Sequence, residues 1–200
     1  MYIIGITGGT GAGKSTAVKA LETLGAKALD CDVIYHELLS VNADIKAEIS
    51  AQFSDVLTDG EIDRRKLSDI VWNDAHSLKK LNQITHKYVN DEVTRRIDAF
   101  KMQGVLTVAI DAIALIESGQ GEKCNVIVGV VAPQEIRVLR IMDRDGLSRE
   151  CALMRVNAQK PESFFRENCD YILENDCTTE AEFEGRCVEF FEELLRIGGE

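Results

Sequence analysis

The pattern of apolar and polar positions changes character several times along the chain, and each change predicts an element. Tyr2-Ile3-Ile4-Gly5-Ile6 is a short apolar run, suited to a central parallel strand buried on both faces. Glycines follow, and over residues 15–24 the apolar positions Val18, Leu21 and Leu24 fall at helical spacing until Gly25 ends it. Residues 26–30 read as a second strand that closes on the polar cluster Asp30-Cys31-Asp32. From about 33 to 100 the period is helical: Ile45, Ile49 and Phe53 share one face, Leu67, Ile70 and Val71 another, with Trp72 expected in the core and a turn at Thr58-Asp59-Gly60. Strands return at 104–111 and 124–131, the latter closed by Ala132-Pro133. An arginine-rich helix begins near Gln134, residues 171–175 form a last short strand, and a helix from about 180 to 197 follows.

Strands alternating with helices predict an α/β fold: a phosphate-loop NTPase-type parallel sheet with helices on both faces. The helical stretch between the second and third strands is too long for a plain crossover. It reads as a substrate-binding insertion at about 33–100 within a single domain spanning 1–200, with a lid at about 137–160. No internal repeat or linker divides the chain.

Composition narrows the classes. Two hundred residues, 45% apolar and 28% charged, suit one soluble globular domain. The formal net charge of -11 argues against a general nucleic-acid binder, which wants a basic surface to release counterions. No apolar run is long enough to span a membrane, and residues 1–7 lack the basic flank of a signal peptide. Cys31, Cys124, Cys151, Cys169, Cys177 and Cys187 form no C-x-x-C pair, so free thiols in a reducing cytoplasm are expected rather than zinc or a redox dithiol. Oligomeric state leaves no trace in these patterns.

The chemistry concentrates after the first strand. Gly8-Gly9-Thr10-Gly11-Ala12-Gly13-Lys14-Ser15 matches G-x-x-x-x-G-K-[ST] fully, between an apolar strand and a helix. Glycines permit backbone conformations and close approach that a side chain forbids, so the loop amides can face a polyphosphate at the positive end of the helix. Lys14 can reach the β- and γ-phosphates of a nucleoside triphosphate, and the Ser15 hydroxyl can ligate Mg²⁺.

Asp30 and Asp32 end the second strand, on the edge that borders the ligand crevice of an open parallel sheet. Either can serve as a base for an attacking hydroxyl, and either can cap the helix that follows. Asp111 closes the third strand, where an acid near Mg²⁺ or a turn residue is expected, and Glu117 follows. Arg137, Arg140 and Arg144 fall on one helical face and Arg155 follows after Gly146-Leu147-Ser148, so they form either a lid over the nucleotide or a solvated face paired with acids. His36, His76 and His86 lack metal spacing, and Arg64-Arg65-Lys66 is either surface or a contact for a second anionic group.

In this order the pieces resemble the dephospho-coenzyme A kinase family over nearly the whole chain. The resemblance rests on residues 5–16, on Leu29-Asp30-Cys31-Asp32 with His36-Glu37-Leu38, and on Asp59-Gly60-Glu61-Ile62-Asp63-Arg64 with Leu67. Leu81-Asn82 with Ile84 and His86, Arg140, Arg144-Asp145, Arg155 and Gln159, and Asp170-Tyr171 with Asn175 complete it. It implies ATP-dependent phosphorylation of the ribose 3′-hydroxyl of dephospho-CoA. Asp32 becomes the general base, with Lys14 and Arg140 also catalytic. Gly8 to Thr16, Arg144 and Asn175 hold the nucleotide; His36, Arg64, His86, Asp111, Glu117 and Arg155 join Asp32 at the acceptor. Lys87, Ile113, Ala114 and Glu174 depart from the family pattern. Two other readings stay open: a kinase for a different small acceptor, and a nucleotide-dependent switch, although no Asn-Lys-x-Asp guanine reader is present.

Overall fold

A computed structural model of the chain describes residues 1–72 and 74–198. The Trp72 side chain, and with it the expectation that Trp72 joins the core, lies outside the described residues. The elements follow as β1 (Tyr2–Thr7), α1 (Lys14–Thr23), β2 (Lys27–Asp30), α2 (Cys31–Val41), α3 (Ala43–Gln52), β3 (Leu57–Thr58), β4 (Glu61–Ile62), α4 (Arg64–Trp72), α5 (Ala75–Met102), β5 (Thr107–Asp111), β6 (Val126–Val131), α6 (Gln134–Asp145), α7 (Arg149–Asn157), α8 (Glu162–Asn168), β7 (Tyr171–Glu174) and α9 (Glu180–Gly198). They fall into two compact units, Met1–Leu29 with Phe100–Glu200, and Asp30–Ala99.

The first unit is built on a five-stranded sheet among the described residues, in the order β2-β5-β1-β6-β7. β1 runs parallel to both β5 and β6, with Gly5 opposite Ile110 and Ile127, and β6 runs parallel to β7. Ile4, Ile6, Val128 and Val130 are fully buried, as an uninterrupted apolar strand pattern requires. α1 packs on α9, and Leu21, Phe183 and Phe191 close one core cluster over the sheet, while α8 lies against β6. The chain leaves β1 for β2 on one side of it, and β5 and β6 later flank β1 in parallel, so the crevice opens at its carboxyl end.

Two boundaries differ from the sequence pattern for local reasons. β5 starts at Thr107 rather than at residue 104, because Gly104 and Val105 terminate α5: Gly104 N–H donates to Lys101 O and Val105 N–H to Phe100 O, a Schellman arrangement with Gly104 at φ 75°. The segment before β6 holds an unanticipated 3₁₀ turn, Gln120–Lys123.

That turn carries a stability prediction. Gln120 is 1% exposed, and among the described residues neither its side-chain nitrogen nor its side-chain oxygen has a hydrogen-bond partner. An unsatisfied buried amide costs about 1–3 kcal/mol. Gln120→Leu is therefore expected to stabilise the protein, each kcal/mol raising Tm by about 2–4 °C. Calorimetry checks this, and an unchanged or lowered Tm contradicts it.

The second unit is helical. Asp30 caps α2, accepting from Asp32 N–H at 2.8 Å and Val33 N–H at 3.0 Å, and Asn42 caps α3 in the same way. Ile45, Ile49 and Phe53 are buried together. The Asp59-Gly60 turn, at φ 52° and 82°, joins β3 to β4 in a tight hairpin rather than joining two helices directly. α5 buries Leu81, Thr85, Val89, Val93 and Ile97 at a spacing of four. Its course is uninterrupted at Lys87, which keeps the amide that a proline would lack and pairs with Glu48 at 3.1 Å.

On the polar side of α5, Glu92 takes hydrogen bonds from Arg95 and Arg96, and Arg96 reaches on to Glu37. These bonds, Arg95 first, hold the Glu92 carboxyl down at about 2. A depressed carboxylate contributes stability that is complete above its unfolded value and fades as pH falls through the folded one. The contribution should persist above about pH 4.5 and be lost toward pH 2, and Arg95→Ala should raise the Glu92 titration midpoint in a carboxyl NMR titration. An unmoved midpoint contradicts the assignment.

Among the described residues no helix is long and apolar enough to cross a membrane. All six cysteines are free thiols, and burial pushes Cys124 and Cys187 up to about 12 and Cys169 up to about 11, so these three stay protonated at neutral pH.

Candidate active site

The glycine loop leaves the carboxyl end of β1 and enters α1 through Gly13, a left-handed residue without a side chain to cap the helix. The first turn of α1 contains no acidic residue either. Its amides therefore end the helix without a side-chain cap from Gly13 or an acid of its own first turn, the condition under which a helix start binds a phosphate. Lys14 opens the helix half-buried, and Ser15 beside it is exposed. The loop is tightened by Ala12 N–H donating to Gly9 O at 3.1 Å.

Its outer side is held by side chains from beyond residue 130. Arg137 Nε donates to Thr10 O at 2.9 Å, Arg140 Nη1 to Gly11 O at 3.3 Å, and Asn175 Nδ2 to Ala12 O at 2.8 Å. Three consecutive loop carbonyls are thus engaged. The approach is close enough to decide two glycines: a Cβ on Gly9 would meet Arg137 Nη2 at 2.2 Å, and one on Gly13 would meet Asn175 Nδ2 at 2.4 Å. What needs the missing side chains here is the protein's own scaffold.

The arginines divide into two sets. Arg137 and Arg140 end on neutral oxygens: Thr10 O and Gln159 Oε1 for the first, Gly11 O, Asn175 Oδ1 and Cys177 O for the second. Burial lowers the pKa of both from the ordinary arginine value, which still leaves them charged. Among the described residues no carboxylate is bonded to either, so their positive charge beside the loop favours an anion there. Arg144 and Arg155 instead converge on Asp145, at 2.7 and 2.6 Å, and Arg144 is raised by that bond. A cavity of about 300 Å³ lies beside Gly9 and Ala12, lined by the end of β6, Arg137, Gln159 and Phe165.

The acids also separate. Asp111 ends β5 with its Cα opposite Ile6, next to the strand that feeds the loop. Residues 112–119 form irregular turns in which Leu115 is buried, Glu117 is exposed, and Thr7 Oγ1 donates to Ile113 O at 3.0 Å. In the second unit, Asp30 is occupied with capping, which leaves the Asp32 carboxylate exposed in the first turn of α2. Arg64 and His36 meet at 3.2 Å, and His86 is half-buried on α5. Asp170, quoted in the late motif, is structural: its carboxylate accepts Ile127 N–H at 2.7 Å and seats β7 against β6. The resemblance placed Gln159 with the lid but gave no contact for it; it binds Thr10 twice, and a glutamine after a helix carries no local pattern that points to a distant loop.

A phosphate loop at the carboxyl end of a central parallel strand, with arginines drawn against it, defines a phosphate-loop nucleotide-binding protein of the small-molecule kinase type. The family model described as dephospho-CoA kinase matches residues 2–181. A protein of Geobacter sulfurreducens described as dephospho-CoA kinase is 35% identical over 96% of this chain and 98% of its own. A crystal structure of TT1252 from Thermus thermophilus is 31% identical with a TM-score of 0.82, covering 97% of each chain. The dephospho-CoA kinase of Campylobacter jejuni is 26% identical with a TM-score of 0.68, covering 98% of each. This chain belongs to the dephospho-CoA kinase family.

Proposed function

We propose that the chain transfers the terminal phosphoryl group of ATP to the ribose 3′-hydroxyl of dephospho-CoA, giving coenzyme A and ADP. The observation that carries this reading is the uncapped, acid-free start of α1 behind a complete phosphate loop, in a chain that matches the family almost end to end.

In this reading the loop amides and Lys14 hold the β- and γ-phosphates, and Arg140 adds charge as it develops on the transferring group. Asp32 accepts the proton of the acceptor hydroxyl while its oxygen bonds to phosphorus and the β–γ anhydride bond breaks. Arg144, Thr16 and Asn175 belong to the nucleotide side, Asn175 through its hold on the loop. His36, Arg64, His86, Asp111, Glu117 and Arg155 form the acceptor set. The Arg64–His36 pair offers a cationic contact for the acceptor's diphosphate. Among the described residues no group of three or more His, Cys, Asp or Glu side chains could hold a metal by itself. The donors that fit Mg²⁺ are the Ser15 hydroxyl and the Asp111 carboxylate, hard oxygens that complement the nucleotide's phosphates. Bound there, Mg²⁺ would neutralise phosphate charge. A cytoplasmic setting belongs to the same reading, with the six free thiols in support.

A coupled ADP-release assay with ATP and dephospho-CoA tests the proposal, with 3′-phosphorylation of the product identified by mass spectrometry. Brisk turnover on a nucleoside monophosphate with none on dephospho-CoA overturns it.

A further inference from the structure

The arginine-rich segment and the phosphate loop are joined by a closed set of hydrogen bonds at a single loop residue. Thr10 N–H donates to Gln159 Oε1 at 2.8 Å, and Gln159 Nε2 donates to Thr10 Oγ1 at 2.6 Å. Arg137 Nη2 donates to the same Gln159 Oε1 at 2.7 Å, while Arg137 Nε takes Thr10 O at 2.9 Å. The amide, carbonyl and hydroxyl of Thr10 are therefore all engaged by two side chains. One comes from the first turn of α6, the other from just beyond the end of α7.

We propose that Arg137 and Gln159 are positioning residues for phosphoryl transfer: they clamp Thr10 from outside and so aim the loop amides at the phosphates. The proposal deepens the kinase reading and rests on it. The physical step is the rigidity of the peptide group. In a planar trans peptide the C=O and the following N–H point in opposite directions. Drawing Thr10 O toward Arg137 turns Gly11 N–H to the far side, and drawing Ala12 O toward Asn175 does the same for Gly13 N–H. A glycine-rich loop has no side chains of its own to resist rotation of these peptides. The clamp supplies that resistance before the nucleotide arrives, so less ordering remains to be done on binding.

Geometry also favours clamping over a simple charge effect. Arg137 uses two nitrogens on two acceptors held at fixed separation, which a planar guanidinium can do and an ammonium cannot. Gly9 leaves no room for a Cβ beneath this guanidinium, so the loop is shaped around it.

The test measures ATP affinity without acceptor and, separately, kcat and KM with dephospho-CoA. It uses Arg137→Ala, Arg137→Lys, Gln159→Ala, Thr10→Val and the Gln159→Ala/Thr10→Val double variant. Each alanine variant is expected to weaken ATP binding and lower kcat together by roughly 10- to 100-fold, with KM for dephospho-CoA unchanged. Thr10→Val, which keeps volume and backbone, should lose several-fold, and the double variant should be no worse than Gln159→Ala alone. Arg137→Lys should recover only a small part of the loss. Full recovery by lysine, additive losses in the double variant, or unchanged ATP affinity and kcat would overturn the clamp. Nucleotide binding is read without acceptor, so a wild-type protein inactive on dephospho-CoA would sink the acceptor assignment and leave the clamp measurable. Circular dichroism checks folding, and the near-isosteric Thr10→Val keeps the proposal testable if an alanine variant fails to fold.

Discussion

Lys14→Ala is expected to slow phosphoryl transfer by roughly 10³-fold, about 4 kcal/mol of transition-state stabilisation, whatever the acceptor. Lys14 is the first residue of α1, immediately after the left-handed Gly13, at the end of the helix where the phosphates are expected. Negative charge shifts onto the β–γ bridging oxygen and the equatorial oxygens as the anhydride breaks. A point charge beside those oxygens acts on that shift more strongly than on the ground state. The loss should therefore fall mainly on kcat, with a smaller weakening of ATP binding. Lys14→Arg should not restore the rate, because a broad planar group does not replace a compact charge in a loop closed by backbone. Single-turnover rates at saturating ATP give the measurement. Undiminished transfer by Lys14→Ala would remove the basis for placing the γ-phosphate at this loop.

Legibility in the sequence followed how local each determinant is. The buried strands were readable because an unbroken apolar run such as Tyr2 to Ile6 has few other homes, and the loop because its eight positions are contiguous. The Asp-Gly turn was seen, but the two strands it joins are only two residues each, too short for a period to register. The division of labour between Asp30 and Asp32 was undecidable from pattern, since both roles favour the same residue type at the same place. One hydrogen-bond pair, Asp30 with the amides of Asp32 and Val33, gives the capping role to Asp30. The arginine face of α6 was visible as spacing, yet its two sets were not. Arg137 and Arg140 find carbonyls more than a hundred residues away, whereas Arg144 finds its neighbour Asp145. The clamp at Thr10 depends on sequence separations of 127 and 149 residues, which no local pattern records.

The Asp30 cap turns the second large prediction into a contrast between neighbours. Asp32→Asn is expected to lower kcat by about 10²- to 10⁴-fold while leaving ATP affinity nearly unchanged, because only deprotonation of the acceptor is lost. Asparagine keeps the size of the side chain and can still orient the hydroxyl, so KM for dephospho-CoA should change little. Asp30→Asn should behave differently, since asparagine caps a helix about as well as aspartate and costs at most a few tenths of a kcal/mol. Asp30→Ala removes the acceptor of two α2 amides and should cost about 1 kcal/mol of stability, with a modest, indirect loss of rate. Comparable losses in Asp32→Asn and Asp30→Asn would place the base elsewhere. Asp111, at the end of β5 beside the loop's own strand, would then be the next carboxylate to test.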